Sequence, residues 1–126
     1  MSVLVDSSVW IDYFRDEWPC DTVDMLIEEN LIVTNQLILA EIIPPPRARN
    51  MKQLIALLRA IKRQPMRIDW ETIILLQTTC LRNGINGVGI ADLIVAQNAV
   101  QGELRLLTND KHFALISEHI PLELYR

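Results

Sequence analysis

Four short apolar runs, SVLV at 2–5, LIVT at 31–34, MRI at 66–68 and LRLL at 104–107, are separated by longer stretches with helical spacing, and this alternation constrains the fold most strongly. Runs this brief are too short for helices, so they read as strands buried on both faces. A chain that places helices between successive buried strands builds a parallel sheet with helices on both sides. The expectation is an α/β fold, a three-layer α/β/α arrangement with a central, mostly parallel sheet. It forms one domain over residues 1–126. Leu122 to Tyr125 is expected to add an edge strand.

Helix punctuation agrees with this. Asp69 can cap a helix that Gly84 ends, and the helix after Ile90 ends at Gly102. At ~100° per residue, Leu54, Ile55, Leu58 and Ile61 share one arc of the Met51–Arg63 segment, while Lys52, Arg59 and Arg63 lie opposite. That is an amphipathic helix with a basic stripe. Pro44, Pro45 and Pro46 interrupt the preceding pattern. The residue before a proline avoids helical geometry, so a helix through Leu37 to Ile42 should stop at Ile43 and restart after Arg47.

Half of the residues are hydrophobic, which excludes a disordered chain. The net charge of −4 conceals an asymmetry. Arg47, Arg49, Lys52, Arg59, Lys62, Arg63 and Arg67 fall in a segment without acids, which leaves sixteen acids against five bases elsewhere. The segment reads either as a solvated face or as a phosphate-contacting surface. Cys20 and Cys80 make no paired motif and read as reduced core cysteines. Met1 to Val5 has no basic leader pattern and no run approaches the ~20 apolar residues of a membrane span, so the expected location is cytoplasmic, away from membranes.

Four acids stand where ligands bind in such sheets, beyond the carboxyl ends of strands. Asp6 closes the first run and Asp110 follows the last in LLTNDKHF. Asp92 opens the helix IADLIVAQNAV, and Glu41 interrupts the apolar LILAEII. Each has a structural alternative: Asp6, Asp92 and Asp110 as helix caps or first-turn acids, Glu41 as a solvated side chain. Brought together, four carboxylates repel one another unless a cation sits among them. Magnesium or manganese, which prefer oxygen ligands, would resolve that conflict. His112 and His119 show no ligand spacing and read as surface residues. A metal held by acids in an open crevice suggests phosphoryl chemistry. No glycine-rich phosphate loop is present, so the basic segment, through Arg47, Arg49, Lys52, Arg59 and Arg63, is the candidate contact for a polynucleotide.

These residues carry a family resemblance. VLVDSSVWIDYF, LILAEII, GIADLIVAQNAV and LLTNDKHF, in this order, resemble the four acidic motifs of PIN-domain nucleases, most closely the VapC-type toxins of toxin-antitoxin pairs. The resemblance implies that Asp6, Glu41, Asp92 and Asp110 are catalytic, metal-binding acids and that Ser8 and Thr108 are supporting hydroxyls. It implies a magnesium- or manganese-dependent endoribonuclease, a homodimer, and a VapB-like antitoxin partner whose tail occupies the groove. One departure is the triple proline after Glu41, where relatives usually continue with a helical segment containing a glycine. The alternatives are a PIN-like module that binds nucleic acid or protein without cleaving, a receiver-type signalling domain, and cleavage of single-stranded DNA in place of RNA.

Overall fold

In the computed structural model, which describes residues 2–15 and 21–126, short strands and helices alternate along the chain. The order is β1 (Val3–Val5), α1 (Ser7–Phe14), α2 (Asp21–Glu28), β2 (Ile32–Thr34), α3 (Gln36–Ile42), α4 (Pro44–Ala48) and α5 (Lys52–Ala60). It continues through β3 (Lys62–Arg63), α6 (Trp70–Arg82), α7 (Ile90–Gln101), β4 (Arg105–Leu107), α8 (His112–Ile116) and β5 (Glu123–Leu124). The strands form a five-stranded sheet in the order β3-β2-β1-β4-β5, and every pairing is parallel. Eight helices among the described residues flank it in a three-layer α/β/α fold. The edge strand expected near Leu122 is β5, paired with β4 through Arg105–Glu123 and Leu106–Leu124.

β1 lies at the centre because its residues can bear complete burial: Val3, Leu4 and Val5 are at most 2% exposed. Burial of each such side chain contributes about 1.5–3 kcal/mol. Leu93 to Ala99 of α7 are buried without interruption, so this helix is enclosed on all sides. The chain runs outward from β1 to β2 and β3, then returns to the opposite side of β1 as β4. The connection reverses direction between β1 and β4, and ligand crevices open at such a point. Receiver-type domains have the order 2-1-3-4-5, which this sheet lacks.

The third strand differs from expectation. MRI at 66–68 is not a strand; pairing occurs earlier, at Lys62–Arg63, and the Gln64 N–H makes the last bond to the Thr34 carbonyl at 2.8 Å. Pro65 has no N–H with which to continue the ladder. Side chains of α7 then satisfy the next segment. Asn98 donates to the Pro65 carbonyl at 3.0 Å, Gln101 to the Arg67 carbonyl at 2.8 Å, and the Gln97 amide bonds both the N–H and the carbonyl of Asp69 at 3.1 Å. These amides replace a neighbouring strand. Arg63 accordingly lies on β3, not on the helix that ends at Ala60.

The prolines also act differently. α3 stops at Ile42 as expected, but Ile43 keeps helical angles (φ −78°, ψ −39°) and α4 begins at Pro44. Prolines at first-turn positions forgo N–H groups that would have no intrahelical acceptor anyway, so they initiate a helix here. α6 and α7 match expectation: the Asp69 carboxylate accepts from Thr72 N–H at 3.2 Å, Gly84 at φ +70° follows the end of α6, and Gly102 caps α7. Cys80 is a free, buried thiol, and burial pushes its pKa up; Cys20 lies outside the described residues. No helix among the described residues is long and apolar enough to cross a membrane.

Candidate metal centre

Asp6 occupies the N-cap position of α1, yet its side chain caps nothing. Its Oδ2 accepts from Ser8 Oγ at 2.8 Å and from Thr108 Oγ1 at 3.0 Å, and among the described residues no donor reaches Oδ1. Asp6 is only 4% exposed. A buried carboxylate costs stability unless donors or a cation compensate it. Two donors fix one oxygen and orient the other.

Thr108 carries this arrangement to the fourth acid. Its Oγ1 accepts from the Asp110 N–H at 3.0 Å, while Ser8 Oγ accepts from the Asn109 N–H at 3.1 Å. The hydroxyls therefore tie the ends of β1 and β4 together across the reversal in strand order. Asn109 extends the tie by donating to Asp12 Oδ2 at 2.7 Å. Asp110 Oδ1 accepts from the His112 N–H at 2.9 Å and lies 3.1 Å from His112 Nδ1, so its second oxygen is the freer one.

Asp92 sits in the first turn of α7, whose N-cap, Gly89, supplies no side-chain acceptor. The helix dipole favours a carboxylate there. Burial raises the Asp92 pKa above its ordinary value, with Asp110 and Asp6 adding to the rise; the Gly89 backbone and His112 oppose it. Glu41 stands on the exposed rim at the end of α3. Its pKa is also raised, first by the protein crowded around it and then by Asp6, with Ser7 opposing and Asp92 adding a smaller rise. Glu41 thus lies within electrostatic range of Asp6 and Asp92, and Asp92 within range of Asp6 and Asp110. Among the described residues, no lysine or arginine forms an ion pair with any of them.

Ligand atoms of Asp92, Asp110 and His112 lie within 4.8 Å of one another. Four carboxylates from separate segments, with the His112 imidazole beside Asp110 and no lysine or arginine paired to them among the described residues, form a donor set that fits a hard divalent cation. A family model for the PIN domain matches residues 3–118. The chain belongs to the PIN-domain family. No curated protein matches its sequence. Its fold is similar to that of a chain of DNA-bound VapBC from Salmonella typhimurium, with TM-score 0.74, 16% identity and 99% and 97% of the two chains covered. VapBC2 from Rickettsia felis, bound to a promoter fragment, gives 0.73, 19%, 99% and 98%. FitAcB from Neisseria gonorrhoeae gives 0.68, 17%, 98% and 96%.

Two features of this PIN domain escaped the sequence reading. His112 is partly buried, with its ring beside the acids, and its place two residues after Asp110 in NDKHF was the available signal. His119 is exposed. The second feature is a buried amide pair: Asn35 caps α3 through Ile38 N–H at 2.8 Å and donates to Asn98 Oδ1 at 3.0 Å. It sets the helix of Glu41 against the helix of Asp92. The basic residues do not form one stripe. Arg47 and Arg59 line a groove of about 440 Å³ along α3, whereas Arg49 lines another with Arg15 between α1 and α4. Lys52 and Arg63 are exposed.

Proposed function

We propose that this PIN domain is a metal-dependent endoribonuclease, the toxin of a VapBC-type toxin-antitoxin pair, acting in the cytoplasm as a homodimer and restrained by a VapB-like antitoxin. The observation that carries this reading is the convergence of Asp6, Glu41, Asp92 and Asp110 with no lysine or arginine paired to them among the described residues. Asp6, Asp92 and Asp110, with Glu41 at the rim, would hold magnesium or manganese, which supplies an activated water and neutralises charge on the phosphodiester. Ser8 and Thr108 hold the Asp6 carboxylate in one orientation. The positive edge of α7 faces the same crevice and favours a negative phosphate. Arg47 and Arg59 offer the polynucleotide backbone two cations along α3.

The test is cleavage of a mixed RNA pool with magnesium, with magnesium plus chelator, and by Asp6→Asn. Cleavage by wild type alone, lost in the other two, is the expected result. No cleavage by any of the three, with RNA still bound, would favour the non-cleaving binding module; cutting of single-stranded DNA but not RNA would change the substrate.

The basic residues make a separate prediction. Each phosphate contact on a single strand contributes ~0.7 to the log–log dependence of affinity on salt. Reversal of Arg47 and Arg59 to Glu should lower that slope by roughly 1.4 in a binding titration. An unchanged slope would return both arginines to a solvated face.

A further inference from the structure

The His112 ring is held in a specific orientation. Its Nε2 and Cε1 edge faces the turn before α7, where a β-carbon built at Gly87 would come within 3.9 Å and 4.0 Å of those atoms. Gly87 has φ +79°, a backbone conformation that also favours glycine. The opposite nitrogen, Nδ1, points toward the acids, 3.1 Å from Asp110 Oδ1.

That separation suits shared coordination. Ligands ~2.1 Å from an octahedral ion lie about 3.0 Å apart along an edge and about 4.2 Å apart across it. The 3.1 Å pair matches an edge, and the 4.8 Å limit on Asp92, Asp110 and His112 leaves room for all three around one centre. With its proton on Nε2, the neutral imidazole presents a lone pair at Nδ1.

We infer that His112 is a nitrogen ligand of the centre and makes it selective for manganese over magnesium. The inference rests on the metal-dependent reading above and narrows it. Magnesium demands oxygen donors, whereas imidazole gains affinity along the transition series. An all-carboxylate centre would leave the choice to ion supply; one imidazole in the shell biases it.

Pulsed electron paramagnetic resonance of manganese bound to the full chain tests this, with manganese and magnesium affinities measured by calorimetry in the absence of RNA. Wild type should show nitrogen hyperfine modulation, lost in His112→Gln and retained in His119→Gln, the chain having only these two histidines. His112→Gln should weaken manganese at least tenfold and magnesium less than about threefold. Manganese bound without nitrogen modulation, or equal weakening of both ions, overturns the inference and makes His112 a group that only orients Asp110. The wild-type spectrum decides the point even if the variant fails to fold. Failure of wild type to bind either ion would instead overturn the metal-dependent function itself.

Discussion

Asp92→Asn should abolish RNA cleavage while leaving a more stable metal-free protein. Burial, with Asp110 and Asp6 nearby, disfavours the Asp92 carboxylate, and its removal takes away a charge that the proposed cleavage requires. Loss of one group that stabilises transition-state charge costs about 10²–10³ in rate, and loss of a direct ligand should cost at least that much. The stability effect has a definite sign. A carboxyl whose pKa is raised on folding destabilises the fold at pH above the folded value, and acidification through that value toward the ordinary one relieves the cost. The Asp92 contribution to wild-type stability therefore falls as pH rises out of the ordinary carboxylate range. Urea unfolding with chelator present should find Asp92→Asn more stable at neutral pH, with the two curves converging in acid. Equal stability at both ends would mean that neither burial nor the neighbouring acids raise the Asp92 pKa. Undiminished cleavage would remove it from the site.

Thr108→Val should weaken both cation binding and cleavage by about 10–100-fold, the usual cost of losing a group that orients a ligand. Valine keeps the shape but deletes the hydroxyl that donates to Asp6 Oδ2 and accepts from the Asp110 N–H, each at 3.0 Å. Asp6 and the Asp110 amide then lose partners in a partly dry site, which destabilises the fold by roughly 1–3 kcal/mol. Thr108→Ser separates hydroxyl from methyl. Serine should recover most of the magnesium- or manganese-induced thermal stabilisation and most of the cleavage. If serine and valine behave alike, Thr108 acts only through packing.

The sheet was readable because its central strands are largely buried on both faces, which demands the aliphatic residues that fill β1 and dominate β2 and β4. β3 was not readable because it is an exposed edge of two charged residues, while the aliphatic MRI run nearby is satisfied by amides from α7. Asn98, Gln101 and Gln97 have no helical or strand periodicity that would disclose such a role. The prolines misled for a related reason: the rule that a proline ends a helix says nothing of the next helix that it can begin. At the site, Asp6 and Asp110 were legible from their positions after β1 and β4, since parallel topology gathers those ends on one edge, whereas Glu41 and Asp92 lie on helices and were legible as acids within otherwise apolar runs. His112 was not, because its role depends on where α8 turns the ring toward Asp92, a long-range placement that local spacing does not encode.

Because α7 holds its own register through side-chain bonds to residues 65–69, it cannot rotate to move Asp92 away from Asp6 and Asp110 without breaking four hydrogen bonds. The crowding of like charges is thus locked in before any ion arrives. Cation uptake at the proposed centre would discharge a tension the scaffold cannot dissipate by yielding, so the empty and filled proteins should have nearly superimposable backbones.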